Sequence, residues 1–208
     1  MKVIYKNGQM REGSFEEPWV KEAFWHTTAH ILAQAVKRLY PDAKCAIGPA
    51  IAQGFYYDFE FALPFEEEQL RSIEGEMKKI VRESLTVQVY EMNRTEAISY
   101  MQERREDYKA ELINSLPDGE KISFYKQGEY AEFCAGPHVS NTCHIKAFSL
   151  LSVAGAYWRG DERNKMLTRI YGISFPKASL LNAHLKMLEE AKLRDHRKLG
   201  KERGSLPF

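Results

Sequence analysis

His26 and His30 stand four residues apart, and Cys134 and His138 repeat that interval a little over a hundred residues later. Three imidazoles and a thiol are the soft donors that suit tetrahedral zinc. The same groups can work without metal, as neutral imidazoles that hold a water or take a proton from it. Both chemistries stay open at this point. A metalloprotease of the H-E-x-x-H type is excluded, because Thr27 follows His26.

Such groups need elements to hold them. A helix is expected from about Trp19 to Leu39, ended by Pro41. At 100° per residue Phe24, Ile31, Leu32, Val36 and Leu39 gather on one side, and His26 and His30 share the other. The spacing therefore predicts a histidine pair on a face away from the core. The second half of the constellation cannot be helical, since Gly136-Pro137 would break a helix. A turn there can bring Cys134 and His138 to one point. Glu132 lies two residues before Cys134 and shares its strand face. Its simplest role is a cross-strand salt bridge. Lys109, in a helix-to-loop stretch, reads first as a solvated lysine. Cys45 reads as a small buried side chain, and Cys143 and His144 as surface residues. Tyr56 and Tyr57 point to opposite faces of one strand, so that one packs while the other can line a cleft.

Around these groups the pattern is mixed. Residues 1–14 read as a hairpin about Asn7-Gly8. A turn leads into a strand within Ala46–Phe61. A helix follows over about Pro64–Glu83, then a strand over Leu85–Tyr90, then a helix capped by Asn93 through about Glu106. Strands are expected at Ile122–Tyr125 and Tyr130–Cys134, turning at Gly128. Phe148–Tyr157 and Met166–Phe175 form a longer hairpin. From Pro176 a helix runs to about Glu202, amphipathic first and charged later. The fold class is α+β, with antiparallel sheet, packed helices and a C-terminal linker helix. The expected divisions are 1–18, an N-terminal hairpin; 19–176, the domain holding the site; and 177–208, an arm toward a further domain.

With 208 residues, 44% of them hydrophobic, the chain can bury a core without staples. No apolar run is long enough to span a membrane, and three cysteines are too few for a secreted framework, which points to the cytoplasm. Net charge is only +1, but Lys186–Arg203 holds seven Lys/Arg against four Asp/Glu. A solvated helix is the simplest reading of that segment, and contact with RNA phosphate is the other.

Five motifs, in order, carry a family resemblance: His26-Thr-Thr-Ala-His30, Ala46-Ile-Gly-Pro49, Gly54-Phe-Tyr-Tyr-Asp58, Cys134-Ala-Gly-Pro-His138 and Gly155-Ala-Tyr-Trp-Arg-Gly-Asp161. Together they resemble the editing domain of the threonyl-tRNA synthetase family. Arg194-Asp-His-Arg-Lys-Leu-Gly200 is similar to that family's linker into the aminoacylation core. Alanyl-tRNA synthetase editing domains share the histidine motifs alone.

The resemblance implies hydrolysis of serine from mischarged threonine tRNA, within an enzyme that joins threonine to its tRNA using ATP. A synthetic pocket rejects a missing methyl only weakly, so a second site must remove serine and exclude threonine by size. It implies that His26 and Lys109 place and activate water, with His30 in support. Glu132, Cys134 and His138 would hold the seryl amine and hydroxyl. Tyr57, beside Gly48 and Pro49, would line the terminal adenosine pocket by stacking. Many members of that family carry aspartate where this chain has Glu132. No cofactor is expected in this segment. ATP, Mg2+ and Zn2+ belong to an aminoacylation domain expected outside it, as does homodimerisation, so the chain reads as an N-terminal fragment. The metal-free reading is preferred. If zinc binds, the expected ligands are His26, His30, Cys134 and His138. A zinc-dependent alanyl-type deacylase and a non-catalytic tRNA-binding module are the alternatives.

Overall fold

A computed structural model describes residues 1–203, with side chains through residue 194. In chain order the elements are β1 (Lys2–Ile4), β2 (Met10–Glu12), α1 (Pro18–Leu39), β3 (Lys44–Cys45), β4 (Ala50–Ile51) and β5 (Gly54–Glu60). Then come α2 (Leu70–Arg82), β6 (Val87–Met92), α3 (Arg94–Glu103), α4 (Asp107–Asn114), β7 (Ile122–Gln127), β8 (Tyr130–Phe133) and β9 (His138–Val139). β10 (Ala147–Tyr157), β11 (Met166–Phe175) and α5 (Ala178–Arg203) complete the chain. Every pairing between named strands is antiparallel, so the fold is α+β with packed helices, as the patterning implied.

Three sheets surround α1. The largest runs β10-β11-β5-β3, with β4 also on β5; the others are β6-β7-β8 and β2-β1-β9. β10 and β11 pair from Ala147↔Phe175 to Tyr157↔Met166, the long hairpin expected. The N-terminal hairpin turns at Gly8, whose φ of 79° favours glycine. Its strand β1 pairs Ile4 with His138, so these first residues hold the strand that carries a site histidine.

α1 starts with Pro18 at its first turn, where a missing N–H leaves nothing unpaired. Phe24, Ile31, Leu32 and Val36 are fully buried. Each contributes about 1.5–3 kcal/mol of burial free energy. Trp25 donates its indole N–H to the Ser174 carbonyl, and the Thr28 and Ser174 hydroxyls meet at 2.7 Å, tying the helix to β11. The histidine face differs from its expected setting. His30 is only 2% exposed, because α1 lies inside the molecule and β8 and β9 cover its polar side. A single-helix projection sees one apolar stripe and cannot see the second layer.

Two local readings are corrected. Lys109 sits inside α4, not in a loop. The strand expected from Leu85 begins at Val87, after Ser84 takes a left-handed φ of 52°. Asn93 caps α3 as expected, accepting from the Glu96 N–H at 2.9 Å. α5 packs on β10 and β11 through buried Leu181. Four of the seven basic side chains behind the basic-arm reading (Arg197, Lys198, Lys201 and Arg203) and most of the Arg194–Gly200 motif lie outside the described side chains, and residues 204–208 lie outside the described residues. Among the described residues, no helix is long and apolar enough to cross a membrane.

Arg38, near the end of α1, gathers three acidic partners: Glu76 of α2 at 3.2 Å, Glu83 at 2.7 Å and Glu129 at 2.6 Å. It thus joins α1 to α2 and to the β7–β8 turn. Hydrogen bonding by Arg38 outweighs burial and holds the Glu129 carboxyl at about 2, below its ordinary 4.5. A lowered carboxyl pKa adds stability above the ordinary value, lost as pH falls toward the folded one. Arg38→Ala is therefore expected to lower stability by roughly 1–2 kcal/mol at pH 7, a value kept modest by solvent screening. It also flattens the fall in Tm between pH 4.5 and 2. Thermal melts across that range check it; an unchanged acid limb would refute the role given to Arg38.

Candidate active site

His26 and His30 on α1 meet Cys134 from the β8–β9 turn and His138 at the start of β9. One donor atom from each lies within 4.8 Å of all the others. Cys134 Sγ is 3.4 Å from His26 Nε2 and 3.3 Å from His138 Nε2. The turn that brings them together needs Gly136: its φ is 67°, and an added Cβ would overlap the Tyr125 hydroxyl. The Gly136 N–H donates to Cys134 Sγ at 3.2 Å.

Thr27 sets the orientation of His138. Its hydroxyl donates to the Ala23 carbonyl at 2.8 Å and accepts from the Val139 N–H at 2.9 Å. With that proton committed, the contact to His138 Nδ1 at 3.1 Å requires Nδ1–H to donate. His138 Nε2 is then an acceptor facing the Cys134 thiol. Sequence reading missed this role of Thr27, although its place between the two histidines was a signal.

Burial dominates the protonation of these groups. It lowers His26 to about 4, against the opposing pull of Glu132, and takes His30 and His138 well below the usual range. It pushes the Cys134 thiol up to about 12. At neutral pH the cluster therefore holds neutral imidazoles and a protonated thiol. Neutral imidazole nitrogens offer lone pairs to a water, and a thiol in this state is a poor nucleophile.

Beside the cluster stands a buried ion pair. Lys109 on α4 bonds to Glu132 Oε1, and both side chains are about 5% exposed. Glu132 Oε1 also accepts from the Tyr57 hydroxyl at 2.6 Å. Its Oε2 accepts from Tyr130 at 2.7 Å and lies 3.4 Å from His30 Nε2. Burial raises the Glu132 pKa, but the Lys109 charge and these hydrogen bonds outweigh it and hold the carboxyl below its usual value. Lys109 was read as a solvated lysine and Glu132 as half of a cross-strand salt bridge; instead Glu132 is a buried hub with four partners, and its lysine comes from a helix. Tyr130 is a second residue that sequence reading missed. Its position two before Glu132, on the same strand face, was the available signal.

Tyr57 corrects an expectation. It is fully buried, stacked on Phe59 with ring centroids 4.6 Å apart, and covered by Gly48. A Cβ on Gly48 would overlap its ring. It therefore offers no face to a nucleotide; it supports the Gly48-Pro49 loop and holds Glu132. Tyr56 faces the other way, under the Arg169 guanidinium at 3.8 Å. Cys45 is buried as expected; Cys143 and His144 are partly buried and stand apart from the histidine cluster.

A cavity of about 370 Å3 opens onto His26, Gly48, Pro49, Lys109, Glu132 and Cys134. This is the size range of small-ligand sites. A second cavity of about 340 Å3, lined by Gln34, Cys45 and Tyr130, shares Lys109 and Glu132 with the first, so the ion pair borders both. The four clustered donors also suit zinc in type: bond lengths of 2.0–2.3 Å put tetrahedral ligands about 3.3–3.8 Å apart, which the two separations from Cys134 Sγ match, while the set as a whole lies within a wider 4.8 Å.

Residues 122–171, which carry Glu132, Cys134 and His138, match the family described as Threonyl and Alanyl tRNA synthetase second additional domain. Nearly the whole chain is similar to proteins named threonine–tRNA ligase. It is 57% identical over 199 residues to that of Caldanaerobacter subterraneus subsp. tengcongensis, covering 96% of this chain and 31% of the relative. Identity is 60% over 189 residues with that of Acetivibrio thermocellus, covering 91% and 30%. With that of Clostridium botulinum strain Langeland it is 58% over 202 residues, covering 97% and 32%. The threonyl-synthetase resemblance read from the motifs is borne out, and the chain spans less than a third of the length of these relatives.

Proposed function

We propose that this chain is the editing portion of a cytoplasmic threonine–tRNA ligase and hydrolyses serine from mischarged threonine tRNA. One observation carries the reading: a neutral His26, Cys134 and the Lys109–Glu132 pair line a single cavity, with neutral His30 and His138 buried behind them. That cavity belongs to a chain 57–60% identical to proteins named threonine–tRNA ligase. The substrate is an ester between serine and the terminal ribose. His26, at the cavity wall, holds the attacking water and takes up its proton as the carbonyl is attacked. A nitrogen of low basicity contributes chiefly by placement. Lys109, fixed by Glu132, presents its remaining N–H groups to the oxyanion that develops. Cys134, backed by the buried His138, closes the amino-acid end, so that threonine's methyl meets the thiol. The Gly48-Pro49 loop takes the adenosine.

A second reading is favoured by the type and clustering of the four donors. Zinc held by His26, His30, Cys134 and His138 would supply an activated water, as in a metal-dependent deacylase. The full-length enzyme's ATP, Mg2+ and partner subunit belong to parts outside this chain.

His26→Ala is expected to lower single-turnover serine release by about 10^2–10^4-fold, the usual contribution of a positioned base. Binding of the tRNA should stay within a few fold. Equal rates in the two proteins would overturn the reading.

A further inference from the structure

We infer that Glu22 binds the α-ammonium of the aminoacyl group and so reads the free amine of the substrate. This rests on the hydrolase reading above. Glu22, His26 and His30 follow one another at intervals of four on α1, so they line one face of the helix. Glu22 is exposed and lines the same cavity as His26 and Lys109.

Two carboxylates line that cavity, Glu22 and Glu132. Glu132 is committed: Lys109 and Tyr57 occupy Oε1, while Tyr130 and His30 flank Oε2. Its charge is offset by Lys109, so it offers little to a second cation. Among the described residues, Glu22 has no hydrogen-bond or salt-bridge partner. The ammonium of an aminoacyl ester sits one carbon from the carbonyl under attack. It must therefore lie near His26, and Glu22 is one helical turn away, with Cβ atoms about 5–6 Å apart. Lys109 serves the carbonyl oxygen and Glu22 the ammonium, so the two ends of the polar substrate meet opposite charges from different helices.

The test is calorimetric binding of two non-hydrolysable ligands to the 208-residue chain and its variants. One is adenosine carrying serine through an amide; the other has hydrogen in place of its amine. The parent protein should prefer the amine-bearing ligand. Glu22→Gln should cut that preference about 10- to 100-fold, the worth of a hydrogen bond between charged groups. Glu22→Asp should restore part of it. An equal loss for both ligands, or no change in the ratio, overturns the inference and leaves the hydrolase reading standing. Failure of the parent protein to bind either ligand overturns both.

Discussion

Lys109→Met is expected to lower serine release by about 10^2–10^3-fold, the loss that follows removal of one oxyanion donor. The same change strands Glu132. Its carboxylate is 4% exposed and would keep two tyrosine hydroxyls and a neutral imidazole, but no cation. Breaking one side of a buried pair costs about 3–5 kcal/mol, because the remaining charge is uncompensated. For a chain of this length each kcal/mol lowers Tm by about 2–4 °C, so a fall of roughly 6–20 °C is expected. Adding Glu132→Gln removes the stranded charge. The double variant should regain most of the stability and none of the activity, since no cation then faces the cavity. Thermal melts and single-turnover deacylation separate the two effects. Activity returning with stability would mean that Lys109 acts through the fold alone.

Gly48→Ala should act on the same hub from the other side. A new Cβ would overlap the Tyr57 ring, which is enclosed by Phe59 below and the loop above. Overpacking of this kind typically costs about 1–3 kcal/mol. Relief requires the loop to lift or Tyr57 to shift. The first deforms the cavity wall; the second breaks the 2.6 Å bond to Glu132. Tyr57→Phe distinguishes these routes, because it keeps the ring and deletes the hydroxyl. A Gly48→Ala protein with parental Tm and parental rate would show that the loop is not seated on Tyr57.

What could be read from residue order had a local cause. The β10–β11 hairpin is visible as two alternating runs about a polar turn, and the cap at Asn93 is a side chain reaching its own helix. The pairing of His26 with His30 is helical geometry, and a glycine was needed to fold Cys134 back toward His138. What could not be read depends on layers brought from afar. The burial of the histidine face comes from β8 and β9, more than a hundred residues later. Lys109 looked like one solvated lysine among many until β8 supplied Glu132 across from it. Alternation along β5 separated Tyr56 from Tyr57 correctly, but only the approach of Gly48 decides that Tyr57 is covered.

The most direct measurement is deacylation of seryl-tRNA and threonyl-tRNA, both on the threonine tRNA, by this chain with and without a strong chelator. Fast release of serine is expected, with threonine slower by at least about 10-fold, the discrimination a methyl group can give. Both rates should be indifferent to chelator. Release of threonine as fast as serine would contradict editing by size at this cavity. Loss of activity with chelator, restored by zinc, would contradict the metal-free chemistry and place zinc among His26, His30, Cys134 and His138.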